Sequence, residues 1–188
     1  MIKLQEEKVW DIIIKTKSHT HIHGSLKSSG TLGLMVREGK FIIPGSLIKG
    51  KWRDALRSIQ GEKCINGEGN TSCGCLSCRI FGESGFSPST IRISDCIAND
   101  DIDKITSSIR TQVAIDRHLK LAKYGALVFI ETIPEGVVFK GKVRIATGKL
   151  SAADIAMLRA AVSGVIKSIG SGASRGLGKV DITLEVVD

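Results

Sequence analysis

The sequence predicts an α+β domain in which strand, helix, strands, helix and strand follow the ferredoxin-like or RRM-like order, interrupted by two insertions. Three observations carry this reading: a β-branched strand near the N-terminus, two amphipathic helical segments starting near residues 46 and 151, and an alternating strand close to residue 188. A length of 188 residues with 42% hydrophobic content suits a single domain over residues 1–188 with a sizeable interior.

Residues 9–17 hold the β-branched run, and His19, His21 and His23 follow on one face if the strand continues. Residues 24–33, rich in Gly and Ser, read as a loop. Residues 40–59 read as a short strand, a Pro44-Gly45 turn, Ser46 as N-cap, and a helix to Ile59. Ile48, Trp52, Ala55, Leu56 and Ile59 form its core stripe, and Lys49, Arg53 and Arg57 a basic outer one. Residues 61–90 lose periodicity and gather Gly, Ser and Cys, as an insertion without its own apolar core would.

Alternation returns at 91–98, and residues 99–124 form a second excursion. Strands resume over 126–133 and 137–147, joined by Pro134, Glu135 and Gly136. The clearest helix spans 151–170: Ser151 caps it, Asp154 completes a capping box, and Ile155, Leu158, Val162, Val165, Ile166 and Ile169 point inward. A glycine loop over 170–178 leads to the final strand, with Val180, Ile182, Leu184 and Val186 on one face.

Lys and Arg total 27 against 19 Asp and Glu, a net charge of +8 with a pI near 9.4. This favours a polyanionic partner, nucleic acid or an anionic membrane surface. No apolar run approaches the roughly 20 residues of a membrane span, and the N-terminus lacks a signal-cleavage pattern, so a cytoplasmic location with no membrane partner is expected. Of five cysteines, Cys64, Cys73, Cys75 and Cys78 are spaced C-x8-C-x-C-x2-C. Four thiolates can close a tetrahedral structural zinc site that leaves no position for an activated water. The alternative is four thiols acting as small hydrophobes. Cys96, inside a strand, is expected to be buried.

In the glycine loop, bare backbone can approach a phosphate and Arg175 can fork onto its oxygens, although a flexible connection would look the same. The turn before the first helix offers N–H groups and a positive dipole end beside Lys49 and Arg53. The three histidines suit acid-base chemistry, metal binding or a polar sheet face.

Residues 42–57, 73–82, 110–143 and 171–182, in this order, resemble the RAMP superfamily, and within it the backbone subunit of type III and related CRISPR effector complexes. The resemblance implies an RRM-like palm, a zinc-finger-like insertion at 61–90 and a thumb-like hairpin near 99–124. It implies copies stacked along a guide RNA, with a complementary target RNA or DNA, other effector subunits and a partner nuclease. Gly45, Ser46, Lys49, Arg53 and Arg57 in the helix motif, and Ser171, Gly172, Ser174 and Arg175 in the glycine loop, match the parts that hold the guide backbone. Arg110 and Arg117 fall at the thumb, and His21 and His23 in the His-Gly element join them as RNA-binding candidates. Target-cleaving members carry an aspartate between that element and the Ile-Pro-Gly-Ser motif. Here Leu32 or a neighbour stands there, and Glu38 is the segment's carboxylate, which implies a subunit that does not slice. The rival readings are a nuclease using Glu38, His21 or His23, and a zinc-stabilised interaction subunit.

Overall fold

The computed structural model describes residues 7–61, 63–65, 72–85, 87–148 and 150–187. Strand β1 (Glu7–Thr16) forms where β-branched residues alternate, burying Trp10, Ile12, Ile14 and Thr16 while Lys15 faces solvent. It is followed by β2 (His23–Leu26), β3 (Thr31–Leu34), β4 (Val36–Arg37), β5 (Lys40–Ile43), helix α1 (Gly45–Ile59), helix α2 (Leu76–Phe81), β6 (Ile91–Ile93) and β7 (Cys96–Ala98). Then come β8 (Ser108–Ile115), β9 (Ala122–Thr132), β10 (Val138–Ala146), helix α3 (Ala152–Ala160) and β11 (Val180–Val186).

The α+β class holds. The main sheet runs β11-β1-β10-β7-β5-β4, with β6 also on β10. β1 pairs antiparallel with β10 from Glu7↔Ala146 to Lys15↔Val138 and with β11 from Trp10↔Val186 to Thr16↔Val180. The sequence does not announce a second sheet, ordered β2-β3-β9-β8. Residues 24–33, expected as loop, supply parts of β2 and β3, and β3 joins β9 in parallel. Residues 126–133, expected in the main sheet, continue β9 instead, so the hairpin extends to Thr132, which faces Ser108.

Helix α1 buries Ile48, Trp52, Ala55 and Leu56. The expected fifth core position, Ile59, is 38% exposed because the helix ends there. Trp52 is fully buried and donates its Nε1–H to the Leu158 carbonyl at 2.8 Å, joining α1 to α3. Ser46 does not cap α1: the helix starts at Gly45, and Pro44 stands at the N-cap without a side-chain bond. The cap comes from elsewhere in the chain. The Gly45 amide donates to Asp95 Oδ1 at 2.9 Å, and Arg37 pairs with Oδ2 at 2.6 Å.

In α3 the expected capping box is present, with Asp154 N–H on Ser151 Oγ at 3.1 Å and Ser151 N–H on Asp154 Oδ2 at 2.9 Å. The helix does not run to residue 170. It widens into one π turn, Ala161–Val165, which keeps Leu158, Val162, Ile166 and Ile169 buried but turns Val165 outward. Val186, at the end of β11, is also exposed.

The cysteine segment is not coreless. Its helix α2 places Leu76, Ile80 and Phe81 in the main core, and Phe81 meets Trp52 edge to face at 6.3 Å. Residues 66–71 of that expected insertion lie outside the described residues.

Asp95→Ala should cost about 1 kcal/mol, as loss of a helix cap does, read as a lower denaturation midpoint with an unchanged slope. The Gly45 amide, and then Arg37, hold the Asp95 carboxyl below its ordinary value. Its contribution is therefore complete above the unfolded carboxylate pKa of about 3.9 and is lost as pH falls through the lower folded value. The variant and the parent should converge in stability in strong acid.

Candidate nucleic-acid interface and metal centre

The chain crosses between the sheets four times, and two of these crossings lie side by side. After β1 the chain runs through residues 17–22 toward β2, and after β9 it returns through 133–137 to β10. These two crossings bond to each other: Thr16 N–H to Val137 O at 3.0 Å, Gly136 N–H to Thr16 O at 2.8 Å, and Thr20 and Ile133 reciprocally at 2.9 and 2.8 Å. Because β1 ends at Thr16, the three histidines do not share one face. His19 is half-buried, with Nδ1 3.2 Å from both Thr132 Oγ1 and Ser108 Oγ. His21 is 2% exposed and His23 is exposed, their rings 5.9 Å apart and edge to face.

His21 supports the glycine loop from beneath rather than standing on its surface. Its carbonyl accepts from Ser171 N–H at 3.0 Å, and its ring Nδ1, 2.7 Å from the Glu131 carbonyl, donates to it. Nε2 is buried without a partner. Gly170 and Gly178 both have positive φ, and a Cβ on them would lie 2.3 Å from His21 O and 2.0 Å from Ile169 O. Only glycine lets the loop lie this close. Above it Ser171, Ser174 and Arg175 are exposed, and Arg175 donates to Gln112 Oε1 of β8. Glycine loop, His21 and hairpin therefore form one unit. Arg110 is exposed on β8 and Arg117 at the tip between β8 and β9. The loop also contains Gly172-Ala173-Ser174-Arg175-Gly176, the spacing of a nucleophile elbow. It leads into a strand rather than from strand to helix, and no histidine bonds Ser174 among the described residues.

The α1 cations are less free than a solvated helix face implies. The Arg53 guanidinium donates to Gly82 O beside α2, and Lys49, Arg53 and Arg57 are all half-buried. Burial, then the charge of Arg53, pulls the Lys49 ammonium below its ordinary value. Asp95 already occupies the Gly45 amide, so the turn's positive end is partly neutralised from within. Ser46 is the residue of that turn that faces solvent.

Leu32 is half-buried in β3, and Glu38 sits exposed at the turn between β4 and β5 with φ 50°. The carboxylate that does reach this segment is Glu131 of β9, which sequence reading missed. It is 8% exposed and takes Lys27 Nζ at 2.8 Å, Ser107 Oγ at 2.8 Å and Leu34 N–H at 3.3 Å. Burial pushes this carboxyl up, but the bonds from Lys27, Ser107 and Leu34 outweigh it and hold the group below its usual range. Only alternation across β9 could have hinted at an inward acid.

The Sγ atoms of Cys64, Cys73, Cys75 and Cys78 all lie within 4.8 Å of one another, with Cys64 and Cys78 at 3.5 Å. Tetrahedral zinc with Zn–S bonds near 2.3 Å needs sulfurs about 3.8 Å apart, so the cluster fits it. Glu83, buried, steadies the knuckle by accepting from Cys73 N–H at 2.9 Å and Ser72 Oγ at 3.1 Å. Burial, reinforced by Cys64 and Cys75, pushes the Cys78 thiol up to about 12. Cys96 is buried apart from the cluster, as expected.

Comparison with known proteins adds three findings. The CRISPR system Cms endoribonuclease Csm3 of Methanocaldococcus jannaschii is 28% identical over 95% of this chain and 79% of its own length. The structure of the Type III-B Cmr-beta bound to cognate target RNA shares the fold over 97% of this chain, with a TM-score of 0.69 and 18% identity. This chain spans 61% of that solved chain's length. The sequence pattern of the RAMP superfamily matches residues 13–181, from β1 through the glycine loop into β11, and the chain belongs to that superfamily.

Proposed function

We propose that this protein is a guide-RNA-binding backbone subunit of a type III CRISPR effector complex, assembling in several copies along one guide without slicing the target. The observation that carries the reading is the glycine loop. It presents Ser171, Ser174 and Arg175 to solvent on bare backbone, is seated on His21, and is joined through Gln112 to a projecting hairpin. Such a surface suits phosphate oxygens, which position a strand without reading its sequence. Ser46 and the partly covered Lys49 and Arg53 add a second point of contact, and Arg110 and Arg117 extend it along the hairpin.

In this reading the antiparallel run β11-β1-β10 with β6 and β7 beyond it is a ferredoxin-like, RRM-like palm. The hairpin β8–β9 is its thumb, and the cysteine segment is a zinc-finger-like insertion. The neighbour, solved bound to cognate target RNA, supports a target strand as partner, and the Csm3 relative supports work within a CRISPR system; guide RNA, further copies and other subunits, including a partner nuclease, complete the assembly in this reading. Among the described residues no helix is long and apolar enough to cross a membrane, which is compatible with work in the cytoplasm.

Cleavage is the second reading, favoured by the relative's name. Against it, Glu131 already has three partners, and Glu38 stands at a surface turn. The four sulfurs would hold a zinc whose chemistry is structural, since all four positions come from protein.

Unrelated single-stranded RNAs of increasing length should give a gel-shift ladder whose rungs rise with length, on intact RNA in the presence of Mg²⁺. RNA cut by the parent but spared by Glu131→Gln or Glu38→Ala would move the assignment to a nuclease. Arg175→Glu should weaken binding at least about tenfold on every sequence, as loss of a phosphate contact and reversal of its charge would. Elemental analysis should return about one zinc per chain, and Cys78→Ser should abolish it and lower the thermal midpoint. A metal-free parent of unchanged stability would leave the cysteines as packing groups.

A further inference from the structure

Alternation in the main sheet leaves one face without a covering element. Trp10, Ile12, Ile14, Phe139, Val143, Ile145 and Ile182 point into the core shared with α1 and α3. The opposite face of β10 carries Lys140, Lys142 and Arg144, all exposed, at every second residue. That spacing sets them about 7 Å apart along the strand. Arg92 of β6, also exposed, is the direct cross-strand partner of Arg144. Like charges directly opposed on one face repel. None of the four cations has an ion-pair partner among the described residues.

The row does not end at the sheet edge. Arg92 also lines a cleft of about 630 Å³, where Arg79, Ser87, Ser89 and Thr90 contribute a second guanidinium and three hydroxyls. Arg79 is loosely paired with Asp154 at 3.4 Å, and Glu7 lies at the rim. On the other flank, Asp11 and Glu185 face each other across β1 and β11, with Asp11 also opposite Lys142. Asp181 is held by Lys17 at 3.1 Å. Asp11, Glu185 and Asp181 border the row on the β1–β11 side, which turns a polyanion toward β10 and β6.

We propose that this face is a second phosphate track for single-stranded RNA, formed by Lys140, Lys142, Arg144 and Arg92 and separate from α1 and the glycine loop. A regular cationic row fits a repeating anion better than a folded acidic protein, whose carboxylates would have to match three positions along β10 and a fourth on β6. No aromatic side chain lies on the exposed face of β10 or β6, so the track holds backbone and does not stack bases. An anion between Arg92 and Arg144 would relieve the repulsion between them.

The test uses the full chain with a labelled oligouridylate between about 50 and 200 mM salt. Lys140→Gln/Lys142→Gln/Arg144→Gln should lose at least about tenfold in affinity, and its plot of log K against log salt should flatten by about 2, near 0.7 per lost contact. Arg175→Glu, which removes a loop contact, should leave the track's share of the slope in place. In parallel, thiouridine-substituted RNA cross-linked to the parent should give adducts on residues 138–146 or 91–93, a readout independent of how the triple variant folds. The track is overturned if the triple variant keeps the parental slope or if no adduct maps there, even where Arg175→Glu weakens binding and the loop reading survives. It is overturned equally if the triple variant binds RNA normally but loses self-association in sedimentation, which would make the face a contact between copies.

Discussion

The hydrogen bonds between residues 16–20 and 133–137 fix how the two sheets sit, and the arrangement of the glycine loop depends on them. Thr16 is central: fully buried, its hydroxyl donates to Pro134 O at 2.9 Å and accepts from Val137 N–H at 3.0 Å. A buried hydroxyl with both roles filled tolerates little displacement, because an unpaired buried group is costly. With that joint set, Thr20 pairs with Ile133, His21 reaches Glu131, and Ser171 reaches His21. The hairpin and the glycine loop are thereby referenced to the same short segment.

A second regularity concerns the acids of this basic chain. Asp95, Glu83, Glu131 and Asp154 each accept a backbone N–H, from Gly45, Cys73, Leu34 and Ser151 respectively. For Asp95 and Glu131 the bond joins distant segments, 50 and 97 residues apart in the chain. These carboxylates act as internal anions that fix loop and helix ends, and several draw a cation with them: Arg37, Lys27 and Arg79. The charge left for the surface is correspondingly positive, and it is distributed over the hairpin, the glycine loop and the open sheet face.

The sequence made visible what depends on local pattern. β1 declared itself by its β-branched run, α3 by its capping box, and the cysteines by their spacing. What it concealed depends on contacts between distant residues. Ser46 looks like an N-cap because Ser favours that position, but Pro44 already has extended backbone and Asp95 completes the cap from fifty residues away. Residues 24–33 look like a loop because Gly and Ser disfavour strands, yet β3 pairs with β9 and β2 with β3, so they contribute to two short strands. α2 looks like loop because six residues are too few for periodicity to register, and only burial against Trp52 makes it part of the core. Of the candidate site, the glycine loop and the cysteine cluster were legible, whereas the burial of His21, the covering of Arg53 and the reach of Glu131 were not.

β1 lies inside the main sheet, next to its edge strand, and its neighbours on both sides, β10 and β11, begin more than a hundred residues later. During synthesis the apolar strand leaves the ribosome long before any edge exists to receive it, and the last strand is needed to close the sheet. Loop-closure entropy must be met before those pairings form, so the main sheet cannot be completed until β11 has been made. A nascent β1 therefore waits with its apolar face unpaired while more than a hundred further residues are made, and shielding such a strand is work for chaperones.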